Sequence, residues 1–167
     1  MQRVQPKQML AKIISGGQTG ADQAAWRAAA AHDVPTAGWM PQGFLTEAGP
    51  RPEFARSFGA VEMPSASWSL RSRRNVQDSE GTLWFGETTT SGALATVSAC
   101  QEFGKPCLPI DPCAEFEPSH VADWILQNQI KVLNVAGNRE SSEPGIGARV
   151  EQFMGRVLQL LGHVQQQ

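Results

Sequence analysis

Short apolar runs bounded by glycine alternate with longer segments of helical period along most of this chain. Lys12-Ile13-Ile14-Ser15 is β-branched and stops at Gly16-Gly17, the pattern of a buried parallel strand entering a tight turn. The Ala-rich run 21–31 predicts a helix, with Thr19 or Asp22 as acceptor for its first turn and Pro35 beyond its end. Thr36 to Trp39 predicts a second strand, Gly81 to Gly86 a third, Cys107 to Ile110 a fourth ended by Asp111-Pro112, and Lys131 to Ala136 a fifth. Periodicity at Ser72 to Asp78, a helix over Ala93 to Phe103 closed by Gly104-Lys105-Pro106, and a helix opened by Pro118 lie between them. Val150, Phe153, Met154, Val157, Leu158 and Leu161 form one stripe of a final helix over Ala148 to Leu161. Pro41 to Ser69 has no period and is expected to be irregular. The alternation predicts an α/β fold: one domain over 12–162 with a doubly wound, mainly parallel sheet of about five strands in three α/β/α layers. Residues 1–11 are expected to be a flexible leader and 163–167 a flexible tail.

Composition narrows the function more than the fold. Fourteen Lys and Arg against sixteen Asp and Glu leave a formal charge of −2, which gives no general pull on a phosphate backbone, so no nucleic-acid partner is expected. No apolar run reaches the roughly 18 residues needed to span a bilayer, and the opening MQRVQPKQ is too polar for the apolar part of a signal peptide. A cytoplasmic protein is expected. The three cysteines, Cys100, Cys107 and Cys113, contain no CxxC pair, so reduced thiols are expected. His32, His120 and His163 are far apart, and Cys107 and Cys113 only flank the fourth strand, so no protein-ligated metal is expected. Without tyrosine, any acid or base must be carboxylate, His, Lys or Cys.

Ligands of open parallel sheets bind beyond the carboxyl ends of the strands, where loops meet helix N-termini. In Ser15 to Asp22 the glycines Gly16, Gly17 and Gly20 admit close backbone approach, while Gln18, Thr19 and Asp22 add polar side chains, an arrangement suited to phosphate or another oxyanion. It matches neither G-x-G-x-x-G nor G-x-x-x-x-G-K-[ST]; a tight turn with a capping Thr is the competing reading. Arg71 and Arg74, with Asn75 and Asp78, offer forked donors before the third strand, or else a solvated helix face. Thr88, Thr89, Thr90, Ser91 and Gly92 form a hydroxyl-rich loop ahead of a helix, suited to an anion or to simple capping. Gly137 to Gly147 is a candidate lid or specificity loop, or the start of a helix at Pro144, and Asp111 adds a polar group at the same edge.

Five motifs carry a family resemblance: S-G-G-Q-T-G-A-D at 15–22, G-W-M-P-x-G at 38–43, R-R-N-V-x-D-S-E-G-T-L at 73–83, G-K-P at 104–106 and L-N-V-A-G-N-R-x-S-x-E-P-G-I at 133–146. Together, over nearly all of Lys12 to Leu161, they resemble the molybdenum carrier family, a YpsA-related branch of the Rossmann-like group that includes the lysine-decarboxylase-like (LOG) proteins. The resemblance implies a Rossmann-like sheet, a small anionic ligand such as molybdenum cofactor (molybdopterin) or a nucleotide, and a homodimer or higher homo-oligomer. Molybdenum cofactor holds its metal on its own dithiolene sulfurs, so such a carrier needs an anion cradle rather than protein metal ligands. The alternative implied by the LOG relatives is hydrolysis of nucleoside monophosphates at the glycosidic bond. That motif, P-G-G-x-G-T-x-x-E, is replaced here by E-T-T-T-S-G-A-L-A-T, leaving Glu80 or Glu87 as the candidate carboxylate.

Overall fold

The computed structural model describes residues 10–111 and 116–164. Among these described residues eight strands are formed: β1 (Lys12–Ile14), β2 (Thr36–Met40), β3 (Leu45–Thr46), β4 (Gly49–Pro50), β5 (Ala60–Glu62), β6 (Gly81–Phe85), β7 (Cys107–Ile110) and β8 (Val132–Gly137). Six helices accompany them: α1 (Ala21–Ala31), α2 (Phe54–Phe58), α3 (Trp68–Gln77), α4 (Ser91–Phe103), α5 (Pro118–Gln127) and α6 (Ile146–Val164). The main sheet has the order β5-β2-β1-β8-β6-β7, with every neighbouring pair parallel, and β3 and β4 make a separate antiparallel hairpin. This is the expected Rossmann-like three-layer fold, with a sixth strand, β5, at one edge.

Helices cover both faces because the central strands are apolar on both. All five residues of β6 are buried, as parallel strands between two helical layers must be. Ile13, Leu83, Leu133 and Val135 belong to the core shared with α1, α5 and α6, where Val150, Met154, Val157 and Leu161 of α6 are buried. Each such aliphatic side chain contributes about 1.5–3 kcal/mol. On the other face Val76 of α3 meets Ala99 and Cys100 of α4. Leu10, within the expected leader, is buried, and the Ala11 N–H donates to the Lys131 carbonyl.

The stretch expected to be irregular, Pro41 to Ser69, holds more order than its sequence announces. After a single 3-10 turn at Gln42–Phe44 come the β3–β4 hairpin, α2 and β5. The reason is one aromatic anchor: Trp26 of α1, fully buried, takes Phe54 and Phe58 at ring separations of 5.7 and 4.9 Å. Helix α3 begins at Trp68, four residues earlier than its periodicity indicates, because the Ser67 side chain accepts the Leu70 N–H. At its other end Lys105 donates to the carbonyls of Val76, Gln77 and Ser79, which completes the helix C-terminus. Helix α6 begins at Ile146, two residues ahead of expectation.

Candidate functional site

Beyond the carboxyl ends of β1, β6 and β8, and between α3 and the start of α4, lies a crevice of about 530 Å³. Its floor is set by the β1–α1 loop. A Cβ built on Gly16 would stand 1.6 Å from Arg71 Nη1 and 2.9 Å from Asp22 Oδ2, so only a glycine lets these two side chains lie against the loop backbone. At Gly20, φ is 80° and a Cβ would come within 2.6 Å of the Asn138 carbonyl oxygen. That close approach lets the Ala21 N–H donate to the same carbonyl and joins the loop to β8.

Arg71 and Asp22 form the buried charge pair of the crevice, with Nη1 donating to Oδ2 at 3.3 Å and the two side chains 9% and 6% exposed. Burial pushes the Asp22 carboxyl up to about 6, outweighing the Arg71 charge and the Gln18 N–H at 3.2 Å, which favour the carboxylate. Burial also draws Arg71 below its ordinary value, with Asp22 acting in opposition. Among the residues lining the crevice, Asp22 is the only carboxylate. The guanidiniums of Arg71 and Arg139 both lie against the Trp68 ring, at 5.3 and 5.6 Å from its centroid.

Gln18 is held in a single orientation. Its Oε1 accepts the N–H groups of Thr19 at 3.0 Å and Glu47 at 2.9 Å, so its Nε2 is fixed as a donor. That Nε2 and Arg71 Nε are both buried without a protein acceptor. Glu47, on the β3–β4 hairpin, fastens the mouth: its carboxylate accepts the Ser141 N–H at 3.1 Å and the hydroxyls of Thr19 and Ser141, with Arg139 at 4.0 Å. Burial opposes charge at Glu47, but the Ser141 and Thr19 hydrogen bonds and Arg139 prevail and hold its carboxyl below the usual range.

The opposite wall is the first turn of α4. Thr90 caps the helix by accepting the Ala93 N–H at 3.2 Å, and Ser91 and Gly92 face the crevice. Asn138, at the end of β8, receives the Thr90 hydroxyl at 3.5 Å and donates to Glu143 at 3.3 Å.

The structure thus gathers Gly16, Gln18, Asp22, Arg71, Asn75, Thr90, Ser91 and Gly92 around one space. Gly17 and Gly20 shape the loop without lining the crevice, and Thr19 is engaged with Glu47 and the Glu140 N–H. Asn75 spends its carboxamide on the backbone of Trp39, at 2.8 and 3.1 Å. Arg74 and Asp78 stand outside the crevice: Arg74 lies 4.7 Å over the Trp39 ring and pairs with Asp78, which also accepts the Trp39 indole N–H at 2.7 Å. Thr88 and Thr89 are exposed ahead of the wall, with the Thr89 hydroxyl on Glu87. Asp111 borders a separate small hollow beside Phe153 of α6. Glu80 accepts the Val132 N–H at 3.2 Å and that of Lys131, so neither it nor Glu87 reaches the crevice. Trp68 and Asn134 line it without having been singled out, and Arg139 lines it from the candidate specificity loop Gly137 to Gly147; the i, i+3 spacing of Trp68 and Arg71 is the signal that marks the first. No group of three or more potential metal ligands is assembled among the described residues. Cys100 and Cys107 are free thiols; Cys113 lies outside the described residues, as does the side chain of His163.

The model of the circularly permutated YpsA SLOG family matches residues 13–158. The chain belongs to that family. A solved structure from Syntrophus aciditrophicus, whose name describes a molybdenum carrier protein, is 37% identical to this chain. It aligns over 90% of this chain and 95% of its own, with a TM-score of 0.81. No curated protein matches the chain. Among the described residues of this YpsA SLOG protein, no helix is long and apolar enough to cross a membrane.

Proposed function

We propose that this protein is a molybdenum carrier, holding molybdenum cofactor or a nucleotide-like ligand of similar charge in the crevice at the carboxyl edge of the sheet. The observation that carries this reading is the pair of buried donors without acceptors, Gln18 Nε2 and Arg71 Nε, on residues lining one space of about 530 Å³. A phosphate oxygen supplies what both donors lack. The residues fit such a ligand: Arg71 gives charge, Gln18 an oriented N–H, and Thr90 to Gly92 the positive end of α4, while Trp68 offers an indole surface to a flat heterocycle. When bound, the cofactor contributes a redox-active metal held by its own dithiolene sulfurs. The likeness in sequence and fold to the Syntrophus aciditrophicus protein supports the same reading. The hydrolase alternative loses its stated carboxylates, since Glu80 and Glu87 are engaged elsewhere.

The test is extraction. Protein purified without added ligand is denatured, and the supernatant is assayed for pterin fluorescence and the pellet and supernatant for molybdenum. Stoichiometric pterin that falls at least tenfold in Arg71→Met is the expected result. A nucleotide in place of pterin moves the ligand to that class, and a crevice that retains and binds neither overturns the reading.

A further inference from the structure

The floor of the crevice carries one positive and one negative charge, Arg71 and Asp22, in contact at 3.3 Å and both almost wholly buried. Taken alone the pair is neutral. A ligand anion that settles on Arg71 makes the local sum negative, and the one other charged side chain lining the crevice is Arg139. Arg139, from the loop after β8, is 44% exposed and turned to Glu47, whose carboxylate is itself saturated by Ser141 and Thr19. Helix α4 presents Ser91, Gly92, Ala95 and Thr96, β8 presents Asn134 and Asn138, and α3 adds Trp68 and Asn75, none of them charged. Asp22 is therefore the group through which the buried floor can shed one unit of negative charge, by accepting a proton.

We propose that the crevice loads its anion together with one proton, taken up by Asp22. This rests on the reading that the crevice holds an anion at Arg71. The Asp22 carboxyl accepts hydrogen bonds from Arg71 and from the Gln18 N–H on Oδ2, so protonation at Oδ1 leaves both bonds in place. Its position near pH 6 in the free protein puts the change within reach of ordinary cellular conditions, and an adjacent anion raises it further. The consequence is linkage: with one proton taken up, affinity falls about tenfold for each pH unit above the free-protein midpoint, until the midpoint of the loaded state is reached. Release is favoured where the solution is more alkaline, with no movement of the fold required.

Sulfate and molybdate serve as probes because both remain dianions from about pH 6 to about pH 8, so any proton exchanged belongs to the protein. Calorimetric titration of the full chain is run in two buffers of different ionisation enthalpy. Uptake of close to one proton per anion near pH 7, with affinity about tenfold weaker at pH 8 than at pH 7, is the expected result. Asp22→Asn abolishes both the uptake and the pH slope; if that variant fails to fold, carbon NMR of the Asp22 carboxyl in the wild-type chain replaces it, with a midpoint that rises when sulfate is added. Binding without proton uptake overturns the proposal and leaves the anion site standing. Failure of sulfate and molybdate to bind at any pH overturns both.

Discussion

Replacing Gly16 by alanine is the sharpest probe of how the crevice floor is built. The backbone at Gly16 does not have a positive φ, so alanine brings no conformational penalty and acts only through its methyl group. That methyl would stand 1.6 Å from Arg71 Nη1 and 2.5 Å from Cζ, so the guanidinium must leave. Once it leaves, Asp22 loses its ion-pair partner in a site where its side chain is 6% exposed. Breaking a buried pair costs about 3–5 kcal/mol, reduced here because Arg71 can swing toward solvent through the crevice and Asp22 can neutralise itself. A loss of about 3 kcal/mol is expected, equivalent to a melting temperature lower by roughly 6–12 °C for a domain of this size. Urea denaturation of four proteins decides it: wild type, Gly16→Ala, Arg71→Ala and the double variant. In the Arg71→Ala background Asp22 Oδ2, at 2.9 Å, becomes the nearest neighbour of the methyl, so the Gly16 substitution should cost about 1 kcal/mol there, giving a coupling of about 2 kcal/mol. Additive costs would refute the reasoning, since the methyl would then be acting on something other than Arg71.

Three further outcomes are expected. Asp22 stands at about 6 in the fold against 3.8 ordinarily, so its neutral form is the one the fold prefers; the stability it contributes is complete below about pH 4 and is lost as pH rises through 6, to a total of about 3 kcal/mol at most. Wild type and Asp22→Asn compared by denaturant midpoint across that window should diverge by an amount of this order, and parallel curves would exclude it. Gly20 and Gly43 have nearly equal φ, 80° and 78°, but only Gly20 has backbone within 3 Å of a built Cβ. Gly43→Ala should therefore cost about 1 kcal/mol and Gly20→Ala several times more by thermal melting, with equal shifts contradicting the close approach to Asn138. Lys105→Met removes the three donations to the end of α3 and should lower stability by about 1–2 kcal/mol in chemical denaturation, with no change if those bonds are idle.

The elements that the sequence announces are those whose neighbours are all apolar or all glycine. Strand β6 is buried at every position, opens on Gly81 and is followed by Gly86, so its pattern is unbroken. Strand β5 is the reverse: only Ala60 is buried, Val61 and Glu62 are exposed, and its place at the sheet edge leaves no alternation to read. Its position follows from Phe54 and Phe58 meeting Trp26, a contact between segments about thirty residues apart that no local period contains. The site shows the same division. Gly16, Gln18 and Asp22 are legible because a strand–turn–helix places them at a carboxyl edge. Arg71 and Arg74 look equivalent on a helix, yet α3 buries Arg71 at 7% exposure while Trp39 and Asp78 engage Arg74 at the surface. Which of the two enters the crevice depends on the packing of α3 against β2, where Asn75 grips the Trp39 backbone, and that is tertiary information.

The position of β8 in the sheet has a consequence for synthesis on the ribosome. It pairs with β1 on one side and β6 on the other, although more than forty residues separate it from β6 and over a hundred from β1. Until residues 132–137 emerge, the half-sheet β5-β2-β1 and the pair β6-β7 each present a bare inner edge, and no other described strand pairs with both. The nascent polypeptide therefore keeps two open flanks, exposed to mispairing with other chains, and closes like a zip only when β8 arrives. Since Gly137 and Asn138 at the end of that strand also line the crevice, the strand that joins the two halves of the sheet is also the one that gives the crevice part of its wall.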